Sequence, residues 1–551
     1  MTQRHGWKAL SGAVLGTLLL AACGGTTGGG GEQLAADQTL RMPLNNDIGS
    51  FDPAQVSAAV DIDFTQNVFN GLLKLDKDLK VVPDIATALP DVSSDGLTYT
   101  FKLKKNVKFW NGDPVTAKDF IYSWNRTAHS GGDYDSLMAP VKGFDKVQGK
   151  GKTAPDIEGL SAPDDYTLKA QLSEPAAYWT TEVALWGMAV TDRKVIEAKG
   201  EDSWWTTPDG LVGTGPFKMS ARTPKQSLDF VPVDNWWGGS TGALKKVHVE
   251  ILEDQASQVK KYEQGGYDLV GYLDNFLTPE DAIRYKNSAQ LSSQLKIIPA
   301  ARSTWIGFNY TKGPFKGLAE GKLGRQALSE AIDRNQLTDV ACAHSIQCVP
   351  ATGGVIAKGL KGYLGDNQDP TATFNASKAK ADLQQWDPTG TKLKGLTYSY
   401  NPTAMNKATA ENLVSQWKTN LGIDVKLEVV DRQTFFKGRN KFNYTIFRHS
   451  WSADYDHPQD WFDFLFVTGA GSGGTGYSDS KVDDLVKKAN QMPIDQALPL
   501  YKQAQQQMID DFYGGPLYYS VKTEAFKPYL RGVGGNALYD YVWTDAKILQ
   551  H

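Results

Sequence analysis

The sequence predicts an α/β protein of more than one domain. Three observations carry that prediction. The chain has 551 residues, and domains hold about 100–200 residues each, so two to four units are expected. Leu97-Thr98-Tyr99-Thr100-Phe101-Lys102-Leu103-Lys104 alternates apolar and polar side chains with period two, the pattern of a half-buried strand. From about residue 324 onward, helical and strand patterns alternate with short links, an order that builds a lobe around a partly parallel sheet.

The elements follow in order. Val107 and Phe109 carry the first strand toward Asn111-Gly112, a turn dipeptide. Thr116, with Asp119 three residues on, has capping-box spacing and predicts a helix to about Thr127. Residues 324–339 read as one helix, with Leu328, Ala331, Ile332 and Leu337 in rough period. Asn375 is expected to cap a helix over 376–386. Residues 396–400, 425–430 and 444–447 read as strands, and 404–420 as a helix ended by Gly422. Ser480 is expected to cap the next helix, with a further amphipathic one over about 496–512.

Apolar residues make up 41% and charged residues 22%, which excludes a disordered, collagenous or multi-span membrane chain. Lys+Arg is 58 against Asp+Glu 62, so no basic excess exists to hold nucleic acid. The 15 Trp suit a large cleft as well as cores. Three Cys and seven His leave little material for a multi-metal site.

Arg4 and Lys8 precede an uncharged stretch from Ala9 to Ala22. It is shorter than the roughly 20 residues that cross a bilayer, and reads as a secretory signal over 1–22. It ends in Leu20-Ala21-Ala22-Cys23, which resembles the lipobox of bacterial lipoproteins, whose cysteine becomes lipidated. Residues 24–31 contain six Gly and two Thr, the composition of a flexible tether. Cleavage leaves 56 basic residues against 62 acids, a balance of −6. Outside the cytoplasm, Cys342 and Cys348 are expected to form a disulfide, so the helix before them must stop near Asp339. The rival is a metal held by Cys342, His344 and Cys348, which lacks a nearby fourth ligand.

Residues 469–474 match G-x-G-x-x-G. The next helix starts too late, at Ser480, for its amides to meet a phosphate, so the glycines read as a flexible surface loop. No G-x-S-x-G elbow, H-E-x-x-H or P-loop occurs. The strongest candidate is Ile446-Phe447-Arg448-His449-Ser450-Trp451-Ser452-Ala453-Asp454-Tyr455-Asp456-His457-Pro458, read as a strand entering a loop at the carboxyl end of a sheet, where ligands sit. A solvated Arg448–Asp454 surface pair is the alternative.

This segment resembles the ligand-binding stretch of the oligopeptide- and dipeptide-binding proteins of ABC importers, family 5 of the bacterial solute-binding proteins. Further likenesses are Ser50-Phe51-Asp52-Pro53, Phe69-Asn70-Gly71-Leu72-Leu73, Trp110-Asn111-Gly112, Gly213-Thr214-Gly215-Pro216-Phe217, Gly307-Phe308-Asn309 and Arg325-Gln326-Ala327-Leu328 through Arg334. The resemblance implies a two-lobed periplasmic-binding-protein-like fold (type II, cluster C) with an extra domain inserted in the first lobe. Carried over, 38–68, 193–300 and 521–551 form lobe 1, 69–192 the insert and 301–520 lobe 2, with 23–37 as lipidated Cys23 and tether.

It implies that Asp454 pairs with a peptide's α-ammonium, that Arg448 meets a carboxylate, and that Trp451, Tyr455 and Asn309 belong to the site. His457, Gln459 and Ser450 depart from the family pattern and leave the pocket's shape open. The expected protein is a monomeric, non-catalytic receptor without cofactor or metal, anchored to the membrane by Cys23. Its partners are a peptide, an ABC permease and the permease's ATPase subunits. The rivals are an oligosaccharide binder of the same fold and a secreted hydrolase using two carboxylates.

Overall fold

The computed structural model describes residues 32–151, 154–272, 276–538 and 542–551. The signal, lipobox and glycine expectations over 1–31 lie outside the described residues. The chain folds as two α/β lobes with a further domain inserted in the first. Three large apolar clusters form the cores. One gathers 40–69, 189–272 and 526–548, one gathers 56–190, and one gathers chiefly 301–519. Among the described residues, no helix is long and apolar enough to cross a membrane.

In the first lobe, Thr39–Leu44 pairs in parallel with Lys246–Ile251, and Ser227–Pro232 and Phe217–Thr223 complete a four-stranded sheet. Leu40, Met42 and Leu44 alternate inward, and Trp543 packs edge-on against Phe64 at 5.3 Å. The inserted sheet runs Asp91–Val92, Thr98–Lys102, Thr167–Gln171, Leu160–Asp164, antiparallel throughout. The helix Ala117–Ser130 carries the expected capping box, and its Trp124 meets Trp179 edge-on at 5.9 Å.

A seven-stranded sheet forms the second lobe and continues, through Leu269–Val270 and the outer ends of its two long strands, into segments expected in lobe 1. Its order is Leu269–Val270, Gly515–Phe526, Leu295–Phe308, Ile446–Ser452, Thr397–Tyr400, Lys426–Val429, with Cys348–Pro350 also pairing Gly515–Phe526. Thr397–Tyr400 lies parallel to both neighbours, and the strand pairs around Leu295–Phe308 are antiparallel. Leu295–Phe308 and Gly515–Phe526 are unusually long, and their ladder is interrupted. Pro299 faces Val521 and Ser303 faces Tyr519, so Ala300, Ala301 and Arg302 stand against Ser520 alone.

Three local expectations change. The single helix over 324–339 is two helices, Lys322–Glu330 and Arg334–Ala341. Asp333 breaks the run because its carboxylate caps the second helix, accepting from the amides of Asn335 and Gln336. Arg325 and Arg334 hold this region together by donating to backbone carbonyls, Arg325 to those of Phe315, Gly317, Leu318, Asp511 and Phe512. The cap of Ser480–Asn490 is Asp479, one residue before the expected Ser480. The strand expected at 444–447 runs Ile446–Ser452, so Arg448 and Trp451 lie on the strand and not in a loop.

Cys342 and Cys348 are bridged, with Cα atoms 5.4 Å apart, and the helix before them ends at Ala341. Both thiols are therefore unavailable to a metal, and His344 Nδ1 instead meets Asp339 at 2.9 Å.

Candidate ligand-binding cavity

The cavity begins with the alternation of a strand. Ile446–Ser452 pairs antiparallel with Leu295–Phe308, placing Arg448 opposite Ile306, Ser450 opposite Thr304 and Ser452 opposite Arg302. Side chains of a strand alternate between faces. Phe447 and His449 therefore point into the core, while Arg448, Ser450 and Ser452 line a cavity of about 620 Å³. Tyr518 and Ser520 extend this floor from the neighbouring strand. Asp133, Tyr134 and Glu182 of the inserted region form the facing wall, so the cavity lies between that region and the second lobe.

One end is acidic. Asp454, just past the strand, lines the cavity, and Tyr134 Oη donates to its Oδ1 at 2.8 Å. Behind it lies Asp460, wholly buried at the start of the helix Gln459–Leu465. Asp460 Oδ2 accepts from Trp451 Nε1 at 2.9 Å and from the Asp454 amide at 3.3 Å. Burial pushes Asp454 up to about 6. Burial, with the adjacent charge of Asp454, pushes Asp460 well above the carboxylate range.

Glu182 is also sealed, and burial holds it far above its usual value. Its Oε1 meets the Tyr455 hydroxyl at 3.0 Å, which also bonds the Gln459 side chain. A hydroxyl has one proton, so both bonds are met when neutral Glu182 donates to Tyr455 and Tyr455 donates to Gln459.

The other end is basic. Arg448 Nη1 reaches Asn401 Oδ1 at 3.4 Å, and its Nε is buried without a partner. Arg439, on the helix Arg432–Asn440, is only 6% exposed and lines the same cavity. Its stem lies over Gly474, where a Cβ would stand 2.5 Å from Arg439 Cγ. Part of the glycine-rich loop is thus a packed seat for an arginine, with Gly473 and Gly474 buried. Burial lowers Arg448, and lowers Arg439 to about 10 with the Arg448 charge adding to it. Among the described residues, neither guanidinium has a carboxylate in ion-pairing range. Arg432 completes this basic end, whereas Arg302, paired opposite Ser452, stands on the side of Asp454.

Of the residues expected at the site, Asp454, Arg448, Trp451 and Tyr455 line the cavity together. Trp451 stacks on Phe464 at 5.7 Å and spends its indole N–H on Asp460. Tyr455 is 1% exposed and is packed into the inserted domain's core. Asn309 lies elsewhere. It is fully buried, its amide donates to the carbonyls of Phe442 and Tyr444, and its Oδ1 accepts from Thr311 and Lys312. All its polar atoms are spent on its own turn and on tying that turn to the carbonyls of Phe442 and Tyr444. Tyr134, Glu182, Asp460 and Arg439 were not legible as site residues. No local motif marks them, and only packing brings them here.

Most of the cavity lining falls within a segment that matches known proteins. Residues 80–473 match the bacterial extracellular solute-binding proteins, family 5 Middle. The chain belongs to this family. Among its family 5 relatives, the periplasmic murein peptide-binding protein of Escherichia coli is 26% identical over 532 residues, 93% of each chain. The oligopeptide-binding protein of Bacillus subtilis is 26% identical over 541 residues, 96% of each chain. The unliganded open form of the murein tripeptide-binding protein is 25% identical with a TM-score of 0.80, covering 95% of this chain and 99% of that one. The Haemophilus influenzae oligopeptide-binding protein, solved with the peptide RPPGFSPFR, is 23% identical with a TM-score of 0.73, covering 94% and 100%.

Proposed function

We propose that this family 5 protein is a lipid-anchored extracytoplasmic receptor that captures a peptide between its lobes and delivers it to an ABC permease. The observation that carries the reading is the polarity of the cavity. It has a carboxylate backed by hydrogen-bond donors at one end, and buried guanidiniums without carboxylate partners at the other. A zwitterion leaving water needs both counter-charges, because an unpaired buried charge costs several kcal/mol. A neutral sugar needs neither. The peptides named for relatives of similar length support the same class of ligand. The protein binds and performs no reaction.

We place the hinge where Ala300, Ala301 and Arg302 stand against Ser520. The expected lobe boundaries at 300/301 and 520/521 fall there, and a broken ladder bends more readily than a continuous one. Ligand binding closes the lobes about this point, and the closed monomer docks on the permease and its ATPase subunits. Cys23 carries the lipid, and the tether is shorter than the expected 23–37, because Gln33 and Ala35 are already hydrogen-bonded to Gln550 and Ile548.

Native mass spectrometry of freshly purified protein, followed by calorimetry against peptide and glycan panels, tests capture. A peptide adduct and peptide-only binding are expected, and glycan-only binding overturns the reading. Cell fractionation of Cys23→Ser tests the anchor, which falls if the variant stays on the membrane.

A further inference from the structure

Asp454 and Asp460 pose a problem of charge. The Asp454 amide donates to Asp460 Oδ2 at 3.3 Å, so the two side chains are neighbours, and the charge of Asp454 acts on Asp460. Two carboxylates this close in a desolvated place cannot both ionise. Geometry decides which one does. Asp454 opens on the cavity and receives the Tyr134 hydroxyl. Asp460 is 0% exposed, and its Oδ1 has no donor directed at it. The Trp451 and Asp454 N–H groups both go to its Oδ2, which leaves Oδ1 as the oxygen to carry a proton.

We propose that Asp460 acts as a neutral carboxylic acid that donates a hydrogen bond to Asp454, keeping that carboxylate ionised and aimed for a ligand's ammonium. Asp460 is a positioning residue. The inference rests on the peptide reading above, since it names what supports that reading's ammonium site. The need for such a donor follows from the surroundings. Asp133 from the facing wall adds like charge, Glu182 stands nearby behind Tyr455, and burial disfavours an anion. Arg302, Lys522 and Asp63 share the adjoining cavity with Asp454. A neutral donor offsets the desolvation without adding charge. Ionised Asp460 would do the reverse. The bland alternative is that Asp460 only ties down the turn through Trp451 and the Asp454 amide.

Two variants separate these accounts. Asp460→Asn keeps an acceptor for both N–H groups and a donor for Asp454. Asp460→Leu keeps the bulk and removes both. Peptide affinity is measured by calorimetry from pH 4.5 to 8. Wild type is expected to lose affinity below the pH at which Asp454 protonates, by about tenfold per pH unit, as a proton leaves for solvent on binding. Asp460→Asn is expected to keep this acid limb in place. Asp460→Leu is expected to move it to higher pH, and to bind about 10- to 100-fold more weakly at pH 7. A limb that moves to lower pH in Asp460→Asn means that Asp460 was an anion, and overturns the proposal. An unmoved limb in Asp460→Leu assigns it only the turn, and also overturns it. If no peptide binds wild type at any pH, the peptide reading fails on its own. Infrared spectra of the free protein at pH 7 still decide Asp460. A protonated-carboxyl band lost in Asp460→Asn supports the proposal, and its absence from wild type refutes it.

Discussion

The hydroxyl of Tyr134 donates to Oδ1 of Asp454 at 2.8 Å, across 320 positions of sequence. The inserted region thus touches the carboxylate proposed to meet a ligand's ammonium. Hydrogen bonds to a charged group contribute roughly 1.5–3 kcal/mol and favour its ionised form. Tyr134→Phe is therefore expected to raise the Asp454 pKa by about one unit, since one unit is about 1.4 kcal/mol. Peptide affinity falls about tenfold at pH 5 and stays close to wild type at pH 8. Calorimetry at the two pH values checks this, and equal losses at both would refute it.

On the peptide reading, Asp454→Asn removes the ammonium's counter-charge at nearly constant shape. Breaking a desolvated charge pair costs roughly 2–5 kcal/mol, about 30- to several-thousand-fold in affinity. N-acetylated peptide should bind wild type poorly, and the variant should barely distinguish acetylated from free peptide. Calorimetry of both proteins against both peptides decides it, and binding of free peptide by the variant at wild-type strength refutes the assignment.

Stability of the ligand-free Asp454→Asn protein runs the other way. Folding raises Asp454 from 3.8 to about 6, so the native state takes up its proton first. Asp454 therefore costs wild type stability above about pH 6, and that cost vanishes as pH falls toward 4. The variant should be the more stable apo protein at pH 7.5. Its advantage should shrink on acidification, by at most about 1.4 kcal/mol per pH unit. Melting temperatures of both proteins across this range give the answer.

Arg448 sits buried with an unpartnered Nε, beside Arg439. Such a charge burdens the fold unless a ligand meets it. Replacing buried charges with apolar groups of similar size often stabilises by about 1–4 kcal/mol. Arg448→Met is expected to raise the melting temperature of the empty protein and to weaken peptides with a free carboxylate more than amidated ones. A lower melting temperature would show that the charge is structurally satisfied.

The Cys342–Cys348 bridge ties the end of Arg334–Ala341 to the strand Cys348–Pro350, away from the cavity lining. Its small loop gives about 2 kcal/mol in the chain-entropy model. The double Ser variant should lose about that much in denaturant unfolding and keep its peptide affinity.

Local signals carried far along this chain. The Thr116–Asp119 box, the Asn375 cap and the αL turn at Gly422 each act within one helical turn, so short windows of sequence held them. The break at Asp333 was missed because apolar period ran through it while one capping carboxylate overrode it. Asn309 shows the reverse error. A residue carried over by resemblance turned out to satisfy its own turn and the carbonyls of Phe442 and Tyr444, far along the chain.

The sequence by itself determined the α/β class, the family, the cysteine pair and the segment holding Arg448, Trp451, Asp454 and Tyr455. Those rest on periodicity, on spacing and on ordered motifs, all written along one dimension. Only the tertiary structure decided which groups face that segment. Tyr134 and Glu182 arrive from the inserted region, Arg439 is seated over Gly474, and Asp460 is sealed behind Asp454. Their charge states follow from burial and from neighbours distant in sequence. Desolvation depends on what closes over a group in space, and a linear pattern does not encode that.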